Sequence, residues 1–239
     1  MAVFMLSCVR EIVTIGRDAP DATGIIVMLK VLLVDDHAVV RNGIKQILTD
    51  AFDRVEIGEA ADEREALQMV EDQQWDLVML DIRLPGRSGV DVLKKIKSDK
   101  PKLPVLILST YPESQYAVRL IHAGAAGYLS KDVEESEIIE AVQLASKGSR
   151  YISSTVGELL ANHINNNVSD DEDTQHAALS DREFQIFLEL AAGARTTDIA
   201  DKLRVSSKTV TTHRSRILQK MGLKNNAELT LYASRTGLI

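Results

Sequence analysis

Residues 29–36 read LKVLLVDD, a short apolar run that closes on two aspartates, and the fold follows from what comes after it. Further short apolar runs stand at Val55–Ile57, Leu77–Leu80, Val105–Leu108 and Tyr128–Leu129. Between them the apolar residues recur at helical spacing, as in Val40, Ile44, Ile47 and Leu48. The last such segment shows Ile138, Ile139, Val142 and Ala145. Five strands alternating with five helices predict an α/β fold, a doubly wound parallel sheet spanning 28–150. In such sheets ligands gather outside the carboxyl ends of the strands, near the switch in strand order.

Composition sets the frame for that reading. Of 239 residues 45% are hydrophobic and 26% charged, the balance of a folded chain rather than a disordered or fibrous one. One cysteine, Cys8, excludes a disulfide framework and a cysteine-based zinc cluster. Nothing resembles a secretory signal or a membrane span, so a cytoplasmic protein without a membrane partner is expected. The net charge of -7 hides an asymmetry. Residues 28–150 carry 16 basic and 21 acidic groups, whereas 177–239 carry 10 basic and 6 acidic. An acidic domain joined to a basic one suggests two tasks, one of them involving a polyanion. Residues 151–176, without Lys or Arg, read as an acidic polar linker, and residues 1–27 as an N-terminal extension of open role.

The strand ends carry a set of compatible chemical types. Asp35 and Asp36 close the first strand, Asp81 the third and Ser109 the fourth, while Lys131 follows the fifth. Convergent carboxylates repel unless a hard cation neutralises them, and Mg2+ suits oxygen ligands. A lysine and a hydroxyl could then hold the remaining oxygens of a phosphoryl group, whose transfer needs mainly positioning and charge neutralisation. An Asp-Asp pair after a strand also serves as an ordinary helix cap, so the weight rests on four strand ends supplying matching groups.

The segments LLVDDH, LDIRLPGRSG, LILST and GAAGYLSKD resemble the receiver domain of two-component response regulators. The resemblance implies a phospho-acceptor at Asp81, with Asp35, Asp36, Asp81 and the main-chain carbonyl of Arg83 binding Mg2+. It implies that Ser109 and Lys131 hold the phosphoryl group and that Tyr128 is the switch aromatic. Pro85, Gly86 and Gly89 match the loop after the acceptor. Arg83 and Tyr111 would stand where they could screen attacking water. A haloacid-dehalogenase-type phosphohydrolase would need an acid two residues after the nucleophile, where this chain has Arg83.

The basic domain reads as short helices. Ser180 and Glu183 fit a capping box, Ala192-Gly193 a helix end, and Thr197–Leu203 a second helix. From Ser206 to Lys224 there are five basic residues and no acid, a footprint for phosphate backbone. At about 100° per residue Val210, Ile217, Leu218 and Met221 form one apolar stripe. The far face then shows Lys208, Thr211, Thr212, Ser215, Arg216 and Gln219, with Lys220 beside them, for the major groove. Arg214 falls within the stripe and should snorkel or pair internally rather than read a base; His213 at its margin should be a satisfied structural histidine. RNA stacking is poorly supported, because no aromatic lies between Phe187 and Tyr232.

Residues 179–229 resemble the LuxR-type helix-turn-helix, which makes the chain similar to a NarL/FixJ-type response regulator. That implies a transcription regulator rather than an enzyme, with a sensor histidine kinase, double-stranded DNA, a second copy of the chain and possible contact to RNA polymerase as partners. The alternative is a receiver that works as a protein-binding module regardless of phosphate. Asn226 stands where the family often has Arg, which puts one contact of the helix-turn-helix in doubt.

Overall fold

The computed structural model describes residues 28–84, 89–166 and 175–239. Pro85 and Gly86, the extension 1–27 and the acids Asp170, Asp171, Glu172 and Asp173 lie outside the described residues. The strands are β1 Leu29–Val34, β2 Val55–Ala60, β3 Leu77–Asp81, β4 Val105–Ser109 and β5 Gly127–Ser130. They form one parallel sheet in the order β2-β1-β3-β4-β5. The alternating helices are α1 Ala38–Ala51, α2 Glu63–Asp72, α3 Gly89–Asp99, α4 Glu113–His122 and α5 Glu135–Ser146.

Both faces of the central strands are buried, which is why β3 and β4 read as nearly unbroken apolar runs, whereas the edge strand β2 is half-buried and carries Glu56 and Glu59. Along β1, Val31 and Leu33 point into a core with Leu48, Ile138 and Val142, from α1 and α5. Leu32 and Val34 point the other way, into a core with Val70, Leu93, Ile96 and Leu120, from α2, α3 and α4. The order reverses at β1, so the crevice opens where β1 and β3 end side by side. Register brings Asp81 opposite Leu108 and Ser109 opposite Ser130, aligning the functional ends. Gly89 starts α3 with its N–H on the Ile82 carbonyl, and a Cβ there would sit 2.3 Å from the Asp81 carbonyl oxygen. Only glycine lets α3 begin so close to the pocket.

Within the stretch read as linker the structure places a helix, α6 Ser154–Asn166. Its Val156 is buried and Leu160 packs on the same core, while Ser153 donates to Glu113 at the start of α4. The spacing of four between these apolar residues was the local signal for it.

The C-terminal domain comprises α7 Asp181–Ala191, α8 Thr196–Leu203, α9 Ser207–Met221 and α10 Asn226–Arg235. Ser180 caps α7 in a full capping box with Glu183, Ser206 caps α9, and Asn225 caps α10. Gly222 ends α9 in the left-handed region, φ 66°. This domain docks on α3 and α4 of the first. Asp181, 5% exposed, accepts from Lys94 Nζ at 2.7 Å and Arg119 Nε at 2.8 Å. The Arg119 guanidinium also lies 5.0 Å from the Phe184 ring centroid, and Phe184 meets Tyr116 edge-on at 5.3 Å.

Candidate functional site

The ends of β1, β3, β4 and β5 place Asp35, Asp81, Ser109 and Lys131 at one edge of the sheet. Asp81 is 0% exposed and Asp35 2%. Lys131 Nζ reaches Asp35 Oδ2 at 2.5 Å and Asp81 Oδ2 at 2.7 Å, bridging the two carboxylates. The second oxygen of Asp81 accepts the Arg83 N–H at 3.1 Å, and that of Asp35 accepts the His37 N–H at 2.8 Å. Burial raises the Asp81 carboxyl above its ordinary pKa, with Asp35 adding to the rise, and the Lys131 ammonium only partly offsets it. A pocket that penalises its own negative charge is one that gains from a further cation.

Asp36 supplies a donor for such a cation. Its Oδ1 is buried and has no hydrogen-bond partner, although His37 Nδ1 lies 2.8 Å away outside hydrogen-bonding geometry. Donor atoms of Asp35, Asp36, His37 and Asp81 all fall within 4.8 Å of one another. Oxygen-rich donors with one unmatched carboxylate oxygen fit a hard divalent cation. His37 had not been singled out in the sequence; its place directly after the aspartate pair was the available signal.

Ser109 and Tyr128 are both buried. Ser109 Oγ accepts the Tyr111 N–H at 3.0 Å, and the Tyr128 hydroxyl donates to the Tyr111 carbonyl at 2.7 Å. Burial holds the Tyr128 hydroxyl protonated far above neutral pH, as a donor requires. The Arg83 guanidinium lies 5.8 Å from the Tyr111 ring centroid, so the two residues stand together beside the pocket.

The second site is the outer face of α9. Lys208, Thr211, Thr212, Ser215, Arg216, Gln219 and Lys220 are exposed, whereas Val210, Ile217 and Met221 are buried and Leu218 half-buried. The three hydroxyls donate back along the helix, Thr211 to Ser207, Thr212 to Lys208 and Ser215 to Thr211, at 2.9, 2.9 and 3.2 Å. Their lone pairs and the threonine methyls therefore face outward. Lys220 differs from the rest, because its Nζ lies 2.6 Å from Glu183 Oε2 and is engaged within the domain. Arg214 pairs internally, its Nε donating to Asn226 Oδ1 at 2.7 Å. Asn226 thus has a packing role in this chain. His213 departs from the satisfied histidine expected there: its Nδ1 is buried without a hydrogen-bond partner, and burial lowers the imidazole pKa.

Residues 31–143 match the family described as response regulator receiver domain, and residues 177–233 match the bacterial regulatory proteins of the luxR family. The response regulator GacA of Pseudomonas aeruginosa is 34% identical over 89% of this chain and 98% of its own length. The response regulator UvrY of Escherichia coli K12 is 34% identical over 88% and 96%. Among solved structures, a LuxR-family response regulator from Aurantimonas superposes with a TM-score of 0.54 at 28% identity, covering 58% of this chain and 99% of that one. RcsB of Salmonella enterica serovar Typhimurium, bound to promoter rprA in the presence of phosphomimetic BeF3-, gives 0.57 at 23% identity, over 86% and 98%, which supports the shared fold.

Proposed function

This chain belongs to the NarL/FixJ-type response regulators, which join a receiver to a LuxR-type DNA-binding domain, and on that premise we propose that Asp81 is its phosphorylation site and the outer face of α9 its DNA-reading surface. The observation that carries the first assignment is Asp81 itself, a buried strand-end carboxylate held by Lys131 and the Arg83 N–H. A carboxylate oxygen of Asp81 attacks the phosphorus of a phosphohistidine on a partner kinase, and the phosphorus–nitrogen bond breaks with the imidazole leaving. Asp35, Asp36, Asp81 and the Arg83 main-chain carbonyl would hold Mg2+, which when bound neutralises charge on the transferring phosphoryl oxygens. Lys131 would shift from Asp35 to a phosphoryl oxygen, and the Ser109 hydroxyl would donate to another. Tyr128 would carry that movement to the face formed by α4 and α5.

On α9 the hydroxyls of Thr211, Thr212 and Ser215 would accept from base amino groups, and the threonine methyls would touch thymine methyls. Lys208 and Arg216 would contact phosphates, with Gln219 at the edge. One short helix of this kind gives limited specificity, so two copies on two half-sites are proposed, with RNA polymerase as a further contact on DNA. Residues 28–150 and 177–239 are the working domains of this scheme, joined by 151–176.

Acetyl phosphate and a magnesium salt should add one phosphoryl group to the intact chain, read by mass spectrometry and mapped to Asp81 by reductive trapping. Phosphorylation of the Asp81→Asn variant to the same extent would refute the assignment, and unchanged DNA occupancy by that variant would favour a phosphate-independent protein-binding receiver.

A further inference from the structure

His37 stands at the N-cap of α1, yet its side chain makes no cap hydrogen bond. Ser, Thr, Asp and Asn are the side chains that satisfy a helix start, so capping does not account for a histidine here. The imidazole turns instead toward the carboxylates, with Nδ1 3.2 Å from Asp35 Oδ1 and 2.8 Å from Asp36 Oδ1. The shorter contact is not a hydrogen bond, since Asp36 Oδ1 is buried without a hydrogen-bond partner. The other Asp36 oxygen, Oδ2, faces Arg204 Nη2 at 3.9 Å. With its side chain 54% exposed, His37 borders the pocket where an ion enters from solvent.

A ring nitrogen and a carboxylate oxygen that lie side by side without bonding each other are two donors for a third atom. Neighbouring ligands on an ion bound at roughly 2.1 Å stand about 3.0–3.4 Å apart. The Nδ1 contacts with Asp35 and Asp36 lie at or just below that spacing. Donor atoms of Asp35, Asp36, His37 and Asp81 all fall within 4.8 Å of one another, a gap that small side-chain rotations close. The nitrogen changes which ion the set favours. Mg2+ takes oxygen and keeps several waters, whereas imidazole suits zinc and its neighbours in the transition series. Three carboxylates and one imidazole also fill the four positions of zinc and leave none open. An ion held in that way excludes Mg2+ and offers no position to an incoming phosphoryl oxygen.

We propose that His37 makes this pocket a four-ligand site for a transition-metal dication of the zinc class, in competition with Mg2+, and that the chain so loaded does not accept a phosphoryl group. The inhibition rests on Asp81 being the acceptor. The metal site does not, and its test is separate.

The test uses the full chain, stripped of metal, with Zn2+ and Mg2+ as the probes. Affinities are read by competition with a chromophoric chelator, and the His37 ring nitrogens by proton–nitrogen NMR. Zn2+ should bind more tightly than Mg2+ and move the His37 Nδ1 resonance, which Mg2+ should leave in place. Loss of a residue that merely supports a ligand costs about 10–100-fold in metal affinity, so His37→Gln should lower the ratio of zinc to magnesium affinity at least about tenfold. That substitution removes no cap bond, and Asp36→Asn, which should weaken both ions, gives a second variant of the same site. An unchanged affinity ratio in His37→Gln, or an Nδ1 resonance unmoved at saturating Zn2+, would overturn the site. Phosphoryl incorporation from acetyl phosphate with Mg2+ should fall as Zn2+ is added, and His37→Gln should need at least about tenfold more Zn2+ for the same fall. Incorporation that persists at saturating Zn2+ would overturn the inhibition. Incorporation absent from wild type with Mg2+ alone would instead remove the acceptor assignment, and the inhibition with it, leaving the metal site to the binding data.

Discussion

The carboxylate pocket and the outer face of α9 become sites in opposite ways. The pocket collects Asp35, Asp36, Asp81, Ser109 and Lys131 from strand ends spread over about a hundred residues, and hides their charge from water. The α9 face is a run of neighbours on one exposed helix, its hydroxyls bonded only to that helix's own backbone and Lys220 tied to Glu183. In the pocket, function is set against stability, since two carboxylates are buried side by side and the one ammonium they share, Lys131, only partly offsets the penalty on Asp81. On α9, function costs the fold little, because the apolar stripe beneath it does the packing.

Asp81→Asn separates the two regions most strongly. Phosphoryl incorporation should fall to background, while unfolding in the absence of divalent cation should become harder by about 1–2 kcal/mol, because the neutral amide removes a buried charge. The pH dependence follows from the raised pKa of Asp81. The folded state binds that proton more tightly than the unfolded chain, so the wild-type penalty is present above the folded pKa and fades as pH falls toward 3.8. Denaturant titrations of both proteins at several pH values would show the gap closing in acid; a constant gap would contradict the charge explanation.

Arg216→Ala should weaken DNA binding about tenfold and lower the slope of log affinity against log salt by about 0.9, with phosphoryl incorporation unchanged. A smaller effect is expected from Thr212→Val, which keeps the shape but removes the hydroxyl, at about 1 kcal/mol of discrimination at one base position. Competition binding with single-base operator variants would read it.

Lys220→Ala should behave as a variant of the fold rather than of the reading face. Burial raises the Glu183 pKa, but the Lys220 hydrogen bond and the Ser180 cap outweigh it and leave it lowered. Its stabilisation is therefore full above the ordinary value of 4.5 and is lost as pH falls through the lowered folded value. With Lys220 partly exposed, the loss in Lys220→Ala should stay below about 1 kcal/mol at neutral pH and shrink in acid. Thermal unfolding of the two proteins from neutral to acid pH would check this.

The same contrast governs how much could be read in the sequence. The parallel sheet, its five strands and the converging strand ends were legible because apolar runs and chemical types are local signals. The α9 face was legible because helical periodicity alone separates Val210, Ile217 and Met221 from Thr211, Thr212 and Ser215. Contacts between distant segments were not. Nothing near Asp181 announces that Lys94 and Arg119 will close on it, and nothing near Tyr111 points to Glu189. Lys220 looked like its basic neighbours until Glu183 was placed beside it. His213 likewise sits where a partner was expected and none was supplied at Nδ1.

DNA binding as a function of the state of Asp81 tests the central claim most directly. Purified full chain would be used to select fragmented source DNA at fixed salt, with and without acetyl phosphate and magnesium, beside Asp81→Asn. Discrete sites enriched by phosphorylated wild type, and weak or absent in the other samples, are the expected result. Equal enrichment in every sample would contradict control by Asp81 and leave the α9 face to act alone.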